Sequence, residues 1–140
     1  MKRRPFFKGE IMENKNKTIT YYPNKNKLSI ITYNKNNTRK TFNSYYPSGK
    51  KWEKCKYKNG EINGKVVEFY ENGNKWSEYN YKNGEKNGKF VEFYPSGKVY
   101  IKGIYKNGYF HNKIIIFYPD GKKYVESIYK NGLLMRIEKI

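Results

Sequence analysis

The chain has 140 residues, one domain's worth, and a formal net charge of +18. Hydrophobic residues make up 36% of it and aromatics 19%, with no alanine, which excludes an ordinary aliphatic globule. The single cysteine, Cys55, excludes an intrachain disulfide, and no apolar run approaches the roughly 20 residues of a membrane-spanning helix.

Residues 1–16 read as an irregular basic segment. The start, MKRRPFF, is basic, but its apolar pair Phe6 and Phe7 falls far short of the about 7–15 apolar residues of a secretory signal. A cytoplasmic location is therefore expected. Residues 17–140 read as one repeat domain. The first strand is KTITYY at 17–22, which lines up with KVVEFY at 65–70 and KFVEFY at 89–94.

From Tyr21 onward the units are 21–44, 45–68, 69–92, 93–116 and 117–140. Tyr22, Tyr46, Tyr70, Tyr94 and Tyr118 recur at a step of 24, since 46 − 22 = 24. Tyr33, Tyr57, Tyr81, Tyr105 and Tyr129 keep the same step. An unbroken period of this kind marks a repeat architecture. Each unit holds two short runs rich in Tyr, Phe, Val and Ile, bounded by Gly, Asn and Pro, and such runs are strands. Helix is excluded by a Gly or Asn about every 12 residues and by the missing i, i+3, i+4 apolar spacing.

Two connections alternate. The segments PSG at 47–49, PSG at 95–97 and PDG at 119–121 are tight turns, with proline presetting φ and glycine accepting a positive one. The segments NGEING at 59–64 and NGEKNG at 83–88 read as longer connections with glycine at both ends. Both are short enough for antiparallel neighbours, so the expected fold is all-β, a single-layer antiparallel β-meander solenoid of 24-residue hairpin repeats with ten or eleven strands. Unit one replaces its glycine turn with Asn24, Lys25 and Asn26, as a capping unit would. The last unit carries Leu133, Leu134, Met135 and Ile137 where polar residues stand elsewhere. Its edge is expected to be covered by its own tail or to pair with another molecule, so homo-oligomers through the end strands are a possible outcome.

The pattern of an aromatic pair, P-x-G-K, an aromatic strand ending Y-K-N-G, and a G-K before the next strand resembles the variant MORN repeat of bacterial proteins over about 17–140. The resemblance implies a one-layer sheet of β-hairpins with ladders of aromatic side chains. It implies roles as scaffolds, as dimerising or lipid-contacting modules, or as antitoxin or immunity partners of toxins. Family members that are enzymes usually carry a separate catalytic domain, and no residues are left here to form one.

Three features bear on function. Trp52, Trp76 and Tyr100 recur on the opposite side of their strands from Tyr57, Tyr81 and Tyr105. The tyrosine series reads as self-packing. Trp52 and Trp76, beside lysines, are expected to be partly exposed partner anchors. Basic residues crowd the N-terminal third, where no carboxylate falls between Glu13 and Glu53. Lys35, Arg39, Lys40, Lys51, Lys54 and Lys56 are the candidate partner-binding cations, for a protein or for anionic lipid or nucleic acid. Codon bias in an AT-rich genome is the competing source of the lysines. Glu68 and Glu92 recur in register and are expected to pair with lysines across strands. Cys55 reads as a packing residue and the only histidine, His111, as a loop residue. No catalytic constellation, metal site or cofactor motif stands out. The expected function is a non-catalytic module for protein–protein interaction, a scaffold or a toxin-neutralising partner.

Overall fold

The structure, a computed structural model, describes residues 11–139. The first ten residues of the expected irregular segment lie outside the described residues. The described chain forms β1 (Ile11–Asn14), β2 (Lys17–Tyr21), β3 (Lys27–Tyr33), β4 (Arg39–Tyr45), β5 (Lys51–Lys58), β6 (Glu61–Ile62), β7 (Gly64–Phe69), β8 (Lys75–Lys82), β9 (Glu85–Phe93), β10 (Val99–Lys106), β11 (Tyr109–Phe110), β12 (Asn112–Phe117), β13 (Lys123–Lys130) and β14 (Leu133–Lys139). They make one 14-stranded sheet, with β6 and β11 as short partners of β5 and β10 and every other strand paired antiparallel to its neighbours in sequence order. The all-β meander expected from the period is the fold.

The meander begins earlier than the sequence suggests. Ile11 to Asn14 pair with β2, from Ile11↔Thr20 to Asn14↔Lys17, so regular structure reaches into the segment expected to be irregular. Without β1 the peptide groups along one edge of β2 would be unpaired, and a strand edge takes up whatever backbone lies within reach. The Asn14 side chain accepts from the Asn16 N–H at 3.2 Å and closes the connecting turn.

The Asn-Gly connections also differ from expectation. They are not six-residue links but two-residue turns. Asn59 has φ 49° and Gly60 φ 84°, and Lys58 pairs directly with Glu61 across them. Two successive positive φ values define the hairpin turn whose twist matches the strands, and Asn-Gly is its preferred sequence. The second glycine, Gly64 at φ 101°, is a separate irregularity that leads into β7. At the equivalent position of the later repeat Asn112 has φ 63°, so asparagine does the work of glycine there. In the first turn of unit one the left-handed residue is Lys25 (φ 66°), not one of the two asparagines beside it, whereas in the second turn it is Asn37 (φ 56°). Asn24 and Asn26 instead donate to the Pro47 carbonyl at 2.9 and 2.7 Å and hold the turn from outside.

At the opposite end of the strands, each proline-type turn is closed by two backbone bonds, as in Tyr46 N–H to Lys50 O and Gly49 N–H to Tyr46 O, both 2.8 Å. A bulge follows. Ser44 opposes Glu53 while Tyr45 opposes Lys51, which leaves Trp52 as the extra residue, and the same shift makes Trp76, Tyr100 and Tyr124 the extra residues of later repeats. A bulge re-aims the side chain it adds.

The core is one row of side chains on one face. Phe42 opposes Cys55, Val66 opposes Tyr79, Tyr79 opposes Phe90, and Phe90 opposes Gly103. Further along, Ile114 opposes Ser127. Phe42 against Cys55, Phe90 against Gly103 and Ile114 against Ser127 each set a large residue beside a small one, while Tyr79 and Phe90 stack with ring centres 5.5 Å apart. Cys55 is fully buried in this row, as a packing residue should be. Tyr105 packs between Phe90 at 4.8 Å and Phe110 at 4.9 Å, and Phe110 reaches Tyr129 at 5.2 Å. The second tyrosine series is self-packing in these repeats. We call this the packed face and its reverse the lysine face. His111 lies where β11 turns into β12; its N–H donates to the Ile104 carbonyl at 2.9 Å. β14 is exposed along its length, with Leu133 at 71%.

Candidate functional site

Side chains alternate between the faces of a strand, so register decides which charges share a surface. Lys65 opposes Asn80 and Lys89 opposes Ile104. Lys113 opposes Ile128, which in turn opposes Arg136. These residues lie on the lysine face, and Lys65, Lys89, Lys113 and Arg136 form a file with one cation on every second strand. A parallel file runs Lys54, Val67, Glu78, Val91, Lys102, Ile115 and Glu126, each opposite the next. Between the two files lies an open depression of about 630 Å³, rimmed by Lys65, Lys89, Lys102 and Lys113, with Val91 and Ile115 in its floor. The Lys102 ammonium stands 5.3 Å from the centre of the Phe117 ring.

Two carboxylates punctuate this face. Glu78 pairs with Lys75 and with Lys65, the latter at 3.5 Å. Glu126 pairs with Lys113 and, at 3.7 Å, with Lys123. The hydrogen bond from Lys75 holds the Glu78 carboxyl below its usual range, and the one from Lys113 does the same for Glu126.

The other recurrent glutamates are on the packed face, and they do not pair with lysines as expected. Ser77 donates its hydroxyl to Glu68 at 2.7 Å, and the Tyr79 phenol donates to Glu92. Register places Glu68 and Glu92 on either side of buried Ser77, with hydroxyls closer to hand than any lysine head. Burial, and then the bond to Glu92, push the Tyr79 phenol far up. Lys86 lies 3.7 Å from the Tyr79 ring centre and 5.1 Å from that of Tyr105, and burial lowers its pKa.

The residues singled out from the sequence do not form one patch. Lys54 and Lys56 are exposed on the lysine face of β5, and Arg39, opposite Lys58, shares that face. Lys40 is on the packed face, 5.4 Å from the Tyr33 ring centre. Lys35 is in the β3–β4 loop, and Lys51 is at the proline-turn end of β5. A strand's alternation separates neighbours in sequence, so a composition count over the N-terminal third cannot locate a surface.

Trp52, Trp76 and Tyr100 do share a location, along the proline-turn edge. Trp52 is not the exposed anchor expected. It is 8% exposed and stacks on Tyr46 with ring centres 4.9 Å apart and planes 4° apart. The bulge turns it onto the tyrosine of its own turn. Trp76 is half-buried, 6.0 Å from Tyr70, and Tyr100 is exposed, 5.1 Å from Tyr94. The first tyrosine series staples the repeats together. Tyr22, Tyr46, Tyr70 and Tyr94 each donate the phenol to a backbone carbonyl 23 residues on, at 2.7–2.8 Å. A groove of about 420 Å³ lies along this edge, lined by the Tyr46–Trp52 and Tyr70–Trp76 pairs with Pro95.

Sequence reading missed the file of Lys65, Lys89 and Lys113. The signal was available: all three recur at a step of 24, as 89 − 65 and 113 − 89. Among the described residues no group of three or more His, Cys, Asp or Glu side chains is placed to hold a metal ion.

Among solved structures the chain is similar to the crystal structure of TarM, at 12% identity and a TM-score of 0.48, over 71% of this chain and 21% of that one. It is similar to the same extent to a mutant of S. aureus TarM in complex with Fondaparinux, alpha-GlcNAc-glycerol and UDP, at 13% identity and a TM-score of 0.48, again over 71% of this chain and 21% of that one. No curated protein sequence matches it. The hairpin unit itself matches the MORN repeat variant at residues 40–59, 62–83, 86–107 and 110–131, and with four copies in phase across the sheet the chain belongs to that family.

Proposed function

We propose that the chain is a non-catalytic interaction module that binds a protein partner through the lysine face, as a scaffold or as the neutralising partner of a toxin. MORN repeats in general are protein- or membrane-binding modules. The observation that carries the reading is the excess of exposed cations on the lysine face, four of them around an apolar floor. Glu68 and Glu92 are turned to the packed face and held by hydroxyls. Lys54, Lys65, Lys89, Lys102 and Lys113 are exposed on the other face. A surface on which cations outnumber carboxylates, beside an apolar floor, draws an oppositely charged partner and fixes its orientation. The test is affinity capture from the source cell at moderate salt, with the wild-type chain and with K65Q/K89Q/K102Q/K113Q, and identification of what is retained. A protein held by the wild type and lost by the variant supports the reading. Recovery of no protein, or equal recovery by both, overturns it.

A second reading, binding of anionic lipid or nucleic acid near the N-terminal end, is favoured by one observation. Arg39, Lys54, Lys56 and Lys58 share the lysine face of β4 and β5 with Thr41 and Asn43, and the one carboxylate in register with them, Glu61, stands opposite Lys58 at the turn end. Several phosphate contacts would make binding fall roughly tenfold or more between 50 and 200 mM salt. Binding to RNA, DNA or acidic vesicles that is absent or insensitive to salt excludes it.

A further inference from the structure

Resting on the protein-binding reading, we infer that the lysine face recognises an extended acidic polypeptide segment laid across the strands, with carboxylates at every third residue. Lys65, Lys89, Lys113 and Arg136 occupy the same file on every second strand. Two strand spacings amount to roughly 9.6 Å. One turn of a polyproline II chain, three residues at about 3.1 Å each, amounts to ~9.3 Å and brings every third side chain to the same side. The two periods stay in step over four cations, so one segment in that conformation presents a carboxylate to each of them. Between the cations the file offers Asn80, Ile104 and Ile128. An amide and two aliphatic side chains suit the neutral residues between the carboxylates.

An acidic ligand would compete with carboxylates already on this face. Lys65 and Lys113, 56% and 52% exposed, now pair with Glu78 and Glu126, and Arg136 pairs with Glu138 at 2.9 Å; the lysine ends of these pairs stand in water, where an ion pair contributes little. Lys89 faces Ile104. Charge complementarity thus favours an acidic ligand, and the floor chooses among acidic ligands. Single-stranded nucleic acid binds by stacking bases on open rings. On this face the rings of Phe69, Phe93 and Phe117 are half-buried, and Phe117 already lies near Lys102. A flat lipid surface would feel the total charge and not its spacing.

The experiment measures fluorescence anisotropy of the full chain with two labelled 12-residue peptides of one composition, four glutamates among serine and valine. In one the glutamates fall at every third position; in the other they are consecutive. The spaced peptide is expected to bind at least several-fold more tightly. K65Q/K89Q/K113Q is expected to weaken it roughly tenfold, as three exposed pairs would. K50Q/K98Q/K122Q removes equal charge from exposed proline-turn positions and is expected to leave it within about twofold. Charge reversal guards against a folding defect: K65E/K89E/K113E should bind a peptide with lysine at every third position. Equal binding of the two glutamate peptides, equal loss in the two glutamine variants, or tighter binding of a 12-nucleotide RNA or of phosphatidylserine vesicles overturns the inference. Any of these can occur while the captured partner is still lost on K65Q/K89Q/K102Q/K113Q, which separates failure of the spacing from failure of the protein-binding reading.

Discussion

Gly103 sits in the middle of β10, where glycine is ordinarily a weakness and alanine an improvement of roughly 0.5–1 kcal/mol. Here the substitution should do the reverse. A Cβ built on Gly103 would stand 2.3 Å from Ile114 Cδ1, 3.0 Å from Phe90 Cε1 and 3.0 Å from the Lys113 carbonyl oxygen. Phe90 and Ile114, both 4% exposed, close over the place where that carbon would go. Forcing an extra carbon into a filled core costs about 1–3 kcal/mol. Set against the backbone gain, Gly103→Ala should lose on the order of 1–2 kcal/mol. The worst contact is with the end of one side chain, so trimming it should help. Ile114→Val alone costs about 0.5–1.5 kcal/mol. In the double variant the loss should fall short of the sum, because both substitutions act on one contact. Urea unfolding followed by circular dichroism measures all three. A Gly103→Ala chain as stable as the wild type, or strictly additive losses, would refute the claim that Phe90 and Ile114 fill the space beside Gly103.

Three further outcomes follow from the same geometry. Tyr70→Phe removes the 2.7 Å bond to the Phe93 carbonyl and should cost about 0.5–1.5 kcal/mol in urea unfolding, while Tyr118→Phe, on an exposed ring, should cost less. Trp52 should be shielded from acrylamide and Trp76 quenched, read from single-tryptophan variants; Trp52→Ala should cost about 3–5 kcal/mol, the larger loss of the two. Glu78 should titrate below the ordinary glutamate value of 4.5 and move up in Lys75→Gln, followed by carboxyl NMR. Its folded pKa is depressed, so its contribution is present above the unfolded pKa and is lost as pH falls through the folded one.

The period made the sheet legible because a meander needs only neighbours in sequence. The strand count was less legible. β1 exists because β2 has an edge to pair, a tertiary cause that IMEN at 11–14 does not advertise. The Asn-Gly turns were found but measured too long, since the second glycine looks like part of the same loop until Gly64 proves to be a separate feature. Alternation alone predicts that Trp52 and Tyr57 part company, and they do. It does not predict a bulge that folds Trp52 onto Tyr46 and hides it. The basic surface was the least legible, because lysines were counted along the chain. Register sorts them across it, sending Lys40 to one face and Lys54 and Lys56 to the other.

The same sorting bears on whether the positive charge reflects composition alone. A bias toward lysine and asparagine raises their number at any exposed position. It gives no reason for glutamates to take the packed face. On β5 to β9, Glu53, Glu68 and Glu92 take the packed face, while Glu61, Glu78 and Glu85 take the lysine face. A glutamate is easier to keep in water than beside a buried serine, because removing a carboxylate from water carries a desolvation cost. Glu68 and Glu92 recover part of that cost through Ser77 and Tyr79. Holding these three carboxylates on the costly side leaves Glu78 and Glu126 as the acids paired with the Lys65–Lys89–Lys113 file, and Lys89 opposite Ile104. Composition bias supplies lysines but not this arrangement, and the arrangement is what a partner of opposite charge would meet.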